Sequence, residues 1–170
     1  MATISGPDRN RPQYTGEAGN KVICDGYYKQ NGTGTVGDTV ELFTIPAGMK
    51  VNEFTAAWSA GAATETLQFG WKYRDGSTGG GAAAFLEDGA VQILSTAVVS
   101  GTNATVAATA AGSVKNLCLN PSVLTAKGSS NNSTGVFDKD VIVYATNGTA
   151  AIPANQQIYA KVEGIYQGTL

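Results

Sequence analysis

The sequence predicts an all-β chain, an antiparallel β-sandwich with an extended N-terminal arm. Three observations carry this. The first is composition: the 170 residues include 22 glycines, only 14% are charged, and Thr, Ala, Ser, Asn and Val fill most of the rest. Few Lys and Glu with much Thr and Gly favours strands and turns over helices. The second is the run Leu67, Phe69, Trp71, Tyr73, four large apolar residues at every second position. A period of two places them on one face of a sheet, with Thr66, Gln68, Gly70, Lys72 and Arg74 on the other. That second face suits solvent or a polar partner surface. The third is punctuation, because turn signals recur roughly every ten residues.

Residues 1–34 read differently from the rest and form a unit of their own, with the sandwich domain spanning 35–170. Pro7, Pro12 and several glycines interrupt any helix there. The segment reads as an extended arm with one short strand near Lys21–Cys24. A solvated terminus is the alternative. Three tyrosines favour an arm that docks on a partner, since a purely solvated tail seldom carries so many. The candidate partner-binding residues are Arg9, Arg11, Tyr14, Tyr27 and Tyr28.

The central stretch follows in three strands. Thr39–Ile45 alternates Val40 and Leu42 against Glu41 and Phe43, and Pro46-Ala47-Gly48 is a turn. Met49–Trp58 is the second strand, and Glu65–Arg74 is the third, centred on the aromatic stripe that should form the core. Gly76–Gly81 is a loop by composition, followed by Ala82–Leu86 and the turn Glu87-Asp88-Gly89. Val91–Val99 fits a strand, with a short helix from about Asp88 to Thr96 as its rival. The Thr/Ala-rich stretch Gly101–Gly112 alternates weakly. Val114–Leu119 reads as a strand, Val123–Thr125 as a remnant, and Lys127–Gly135 as a polar loop. Asp140–Thr146 and Gln157–Tyr166 are the closing strands, joined by a link of open turn type. About eight strands at this spacing suggest a sandwich of jelly-roll-like form.

The residues offer little chemistry. There is no histidine, which removes the commonest general base and metal ligand. Cys24 and Cys118 lie far apart and read as reduced thiols with no base beside them. Asp138 and Asp140 could flank a cation, but calcium takes six or more oxygens, and a solvated strand entry explains the pair better. Glu87-Asp88 reads as a turn. The glycine-rich loop lacks the Gly-Lys-Ser/Thr ending of a phosphate cradle. Trp58, near a strand end, is the one residue open to a sugar-stacking role, while Trp71 belongs to the core. The Asn-x-Ser/Thr triplets carry no weight in a chain this rich in those residues. No cofactor or metal is called for, and no enzyme activity is expected.

A net charge of −2 makes no electrostatic case for nucleic acid or an anionic membrane surface. The N-terminus lacks the apolar core of a signal peptide, so synthesis in a cytoplasm is expected.

Several stretches carry a resemblance. GDTVELFTIPAGMKV is similar to a strand, Ile-Pro-Ala-Gly turn and strand found in tailed-phage virion proteins. ETLQFGWKYRDG, the glycine-rich loop and Ala84-Phe85-Leu86 continue the pattern. DVIVYATNGTAAIPANQQIYAKVEGIY resembles the last two strands of those proteins. About half the chain is covered, by motifs that encode strand-turn-strand geometry. The arm and the stretch 102–135 fall outside the resemblance.

The resemblance implies a small jelly-roll decoration, or cement, protein on the surface of a phage capsid. Such a protein bridges major capsid protein subunits and is frequently a homotrimer, and it brings no catalytic residues with it. A head-fibre base or tail protein is the nearest rival, and a carbohydrate-binding module using Trp58 and loop tyrosines is a rival from another class.

Overall fold

The computed structural model describes residues 1–11, 19–86, 91–92, 98–99, 105–117 and 136–168. Among these are eleven strands and no helix. They are β1 (Thr3–Ser5), β2 (Lys21–Lys29), β3 (Thr39–Ile45), β4 (Met49–Trp58), β5 (Thr66–Tyr73), β6 (Val91–Gln92), β7 (Val98–Val99), β8 (Thr105–Ala107), β9 (Gly112–Leu117), β10 (Val141–Asn147) and β11 (Gln157–Tyr166).

The pairing is nested. β2 lies antiparallel to β11, β3 to β10, β4 to β9 and β5 to β8. The chain thus runs out through four strands and returns beside itself through four more. This long ribbon then rolls up, so that β11 also pairs with β4 and β10 with β5. Two sheets result, ordered β1-β3-β10-β5-β8-β7 and β2-β11-β4-β9-β6. The interleaved order is that of a jelly-roll β-sandwich. Among the described strands only β1 pairs in parallel, with β3.

Several expected strands stand as predicted: Thr39–Ile45, Met49–Trp58 and Gln157–Tyr166. The third central strand is shorter at both ends, and the last-but-one shifts to end at Asn147. The run 91–99 is strand at its two ends, and 93–97 lie outside the described residues. So do Cys118, Leu119 and the stretches Val123–Thr125 and Lys127–Gly135.

Two local readings need correction. The short strand expected at Lys21–Cys24 runs on for nine residues to Lys29 and pairs along its length with β11. Its inward positions are Val22, Cys24, Gly26 and Tyr28, all buried. The glycine in this series hides a period of two. Gly26 is required because a Cβ there would stand 2.6 Å from the Leu42 carbonyl oxygen of β3, closer than packed atoms tolerate. The described part of residues 1–34 therefore lies on the sandwich rather than apart from it.

The second correction concerns β3. Its register against β10 jumps from Phe43–Val143 to Glu41–Tyr144, leaving Leu42 as the extra residue of a bulge. The bulge resets the alternation, so Leu42 and Phe43 are both fully buried.

The core lies between the sheets. Leu67, Phe69 and Trp71 are fully buried and Tyr73 nearly so, as the stripe requires. Loops complete it. Phe85 stacks on Phe54 at 4.5 Å between ring centroids, and Phe137 meets Trp71 edge-on at 4.9 Å. Trp58 is 4% exposed, and its indole N–H donates to the Ala110 carbonyl at 3.1 Å. It offers no open ring for a sugar.

Candidate interaction face

Residues 6–11 form a strap that leaves β1 and crosses from one sheet to the other. The Gly6 amide donates to the Glu41 carbonyl at 2.7 Å. The Thr44 hydroxyl donates to the Arg9 carbonyl at 2.7 Å. On the opposite sheet, the Tyr27 amide donates to the Asp8 carboxylate at 3.0 Å. That bond and the Arg11 contacts to Asp25 occupy the edge of β2 away from β11, where no strand pairs among the described residues. An open strand edge is a template for unwanted pairing, and these polar contacts blunt it. The chain start is fixed too, since the Ala2 and Thr35 amides both donate to Asp38 at 2.7 Å. These two bonds hold the Asp38 carboxyl below the usual carboxylate range.

The five partner-binding candidates separate. Tyr28 is buried and donates to Gln30 Oε1 at 2.6 Å, which leaves it facing inward. Tyr14 lies outside the described residues. Tyr27 is 40% exposed, on the same outward face as Ile23 at 49%. Met1 and Val36 are the other large apolar residues exposed among those described. All four fall within the first 36 positions, near the edge where β1 and β2 end their sheets.

Arg9 and Arg11 are tied into ion pairs. Arg9 pairs with Glu41, whose other oxygen meets Lys72 Nζ at 2.6 Å. Glu41 is only 3% exposed. A buried carboxylate is costly unless it is paired, and Arg9 and Lys72 flank it on both oxygens. Arg11 reaches Asp8 at 3.3 Å and Asp25 at 2.5 Å.

The structure adds a residue that the sequence had placed only on a polar face. Arg74, just beyond β5, joins Arg9 and Arg11 around an open cleft of about 290 Å³, lined also by Thr44, Pro46 and Asp140. The chain contains three arginines in all, and the fold brings every one of them to this cleft. Their distance in sequence concealed this.

Elsewhere the outer face of the β2-β11-β4 sheet carries a charge ladder. Glu163 and Glu53 stand directly opposite each other on β11 and β4. Like charges so placed repel, and lysines offset this: Lys161 and Lys21 bond Glu163, and Lys115 bonds Glu53. The Lys161 and Lys21 bonds hold the Glu163 carboxyl down at about 2.

Cys24 is buried, and burial pushes its thiol up to about 12, so it is no nucleophile at neutral pH. Asp140 and Asp138 serve local structure, accepting from the Ala47 amide at 3.0 Å and from the Tyr73 hydroxyl at 3.0 Å. No group of three or more metal-ligating side chains occurs among the described residues.

No protein-family model matches the chain, and no curated protein matches it in sequence. Two solved structures share its fold. One is a chain from the capsid of Ralstonia phage GP4, with 15% identity and a TM-score of 0.56 over 99% of each chain. The other is a chain from the capsid asymmetric unit of cyanophage Pam1, with 16% identity and a TM-score of 0.51 over 94% of each chain. The protein is an all-β sandwich whose fold is shared, nearly end to end, with chains found in two phage capsids.

Proposed function

We propose that this chain is a non-enzymatic structural protein of a phage virion that decorates the capsid surface and bridges subunits of the major capsid protein. The observation that carries this is the fold likeness to the GP4 capsid chain over 99% of both molecules. The molecule suits such a role. It invests its bulk in a packed sandwich, and its exposed apolar residues lie near one edge. Repeated weak contacts along a lattice bind tightly through multivalency. Ile23 and Tyr27, with Arg9 and Arg11 beside them, are the contact residues in this reading. Self-association, with a trimer favoured, matches the symmetry of capsid sites.

The test is quantitative peptide mass spectrometry on purified particles, counting this chain against the major shell protein. A copy number comparable with the shell protein supports decoration. A few copies per particle point to a fibre base or tail part. Absence from the particle overturns the virion reading. The replacements Ile23→Asp and Tyr27→Ser should reduce particle binding while the melting temperature stays near that of the parent.

A further inference from the structure

We propose that the cleft gathering Arg9, Arg11 and Arg74 is a carboxylate-binding site that receives an acidic segment of a partner protein. The first ground is residue choice. Among the described residues five lysines make the other cationic ion pairs, Lys21, Lys72, Lys115, Lys139 and Lys161. The three arginines are reserved for one place. A guanidinium is a planar fork that grips a carboxylate with two parallel bonds, whereas an ammonium acts as a point charge. Arginine is also enriched where proteins meet.

The second ground is that the cleft keeps donor capacity. Arg74 is 48% exposed at its side chain, and its pair with Asp140 spans 3.6 Å, longer than a hydrogen bond. Asp140 accepts from the Ala47 amide at 3.0 Å, so Arg74 can turn to a ligand without stranding it. Arg9 meets Glu41 through Nε, and no hydrogen bond runs from its Nη groups to another described residue. Arg11 uses both Nη groups on Asp8 and Asp25 and adds charge at the rim. The strap that carries Arg9 and Arg11 is pinned at the Arg9 carbonyl and at Asp8, so two of the forks sit on a fixed backbone.

An acidic peptide fits better than nucleic acid. An open cleft of about 290 Å³ admits a few carboxylates of an extended segment to the forks of Arg9 and Arg74, with the charge of Arg11 at the rim, and is too small to follow the backbone of a duplex. The binding itself does not depend on the proposed function. Only the identity of the partner as a shell protein rests on that reading.

The experiment uses the full chain and a fluorescently labelled oligoglutamate peptide, followed by anisotropy at low and at physiological salt. Orthophosphate and a short duplex DNA serve as comparators. The peptide should bind, more weakly as salt rises. Arg74→Gln and Arg11→Gln should each weaken it about tenfold, and Arg74→Lys should restore only part of the loss. Lys29→Gln, at an exposed position on β2, should leave binding unchanged. A thermal melt of each variant confirms that the sandwich is intact. No binding of the peptide to the parent protein overturns the proposal. So does an equal loss in Lys29→Gln, or full retention in Arg74→Lys. Stronger binding of the duplex than of the peptide, with the same arginine dependence, replaces it with a nucleic-acid site. The assay needs no particle, so a virion that lacks this chain would sink the proposed function and leave the cleft result standing.

Discussion

Replacing Glu65 by Gln should stabilise the protein, and more so at high pH than at low pH. Glu65 precedes β5 and is fully buried. The Ala62 amide donates to its Oε2 at 2.9 Å, and the Gln156 side-chain amide is also bonded to the carboxyl. It makes no salt bridge with a described Lys or Arg. Its Oε1, and Oε1 of Gln156, both lack a donor among the described residues. Burial raises the Glu65 pKa above its ordinary value of 4.5, against the opposing effect of the two bonds.

The sign follows. Below 4.5 the carboxyl is protonated both folded and unfolded, and its proton can satisfy Gln156. As pH rises, the unfolded chain releases this proton first, so stability falls until the folded form also ionises. Above that point the buried charge persists without a cation. In Glu65→Gln the new Oε1 keeps the Ala62 bond, and the new Nε2 can donate to Gln156. A buried polar atom left unsatisfied costs about 1–3 kcal/mol, so the gain should be about 1–3 kcal/mol at pH ~8 and small at pH ~4. Urea unfolding read by tryptophan fluorescence at both pH values measures it. A variant less stable than the parent at the higher pH, or a gain equal at both, refutes the reasoning.

Two further outcomes test the core and its closure. Trp71→Ala should cost about 3–5 kcal/mol, because the ring is fully buried and packs edge-on with Phe137 and Tyr73. A urea midpoint shift worth less than about 1 kcal/mol would place Trp71 outside the core. Gly26→Ala should cost about 1–3 kcal/mol, since its Cβ would press on the Leu42 backbone. Differential scanning calorimetry should show a melting temperature several degrees lower, and an unchanged value would mean that β2 does not pack on β3 there.

Much of the sandwich was legible in the chain itself. Strand alternation is a local property, because a pleated backbone turns each successive side chain to the other face. Leu67, Phe69, Trp71 and Tyr73 therefore announced both a strand and the centre of the core, and the turn at Pro46-Ala47-Gly48 separated two strands at their observed bounds. Where a glycine takes an inward position, as at Gly26, the same signal falls silent, and the alternation marks only four of the nine residues of β2.

Tertiary structure alone decided the rest. The nested pairing of β2 with β11 and β3 with β10 joins residues 96 or more positions apart, and no window of sequence encodes such a register. The bulge at Leu42 arises between two strands and belongs to neither alone. Phe85 and Phe137 became core residues only because loops fold over the stripe. Arg74 became a neighbour of Arg9 and Arg11 only when the strap crossed the sheet edge. Composition and period set which residues prefer burial, while long-range chain closure sets which of them meet, and a binding surface depends on the second.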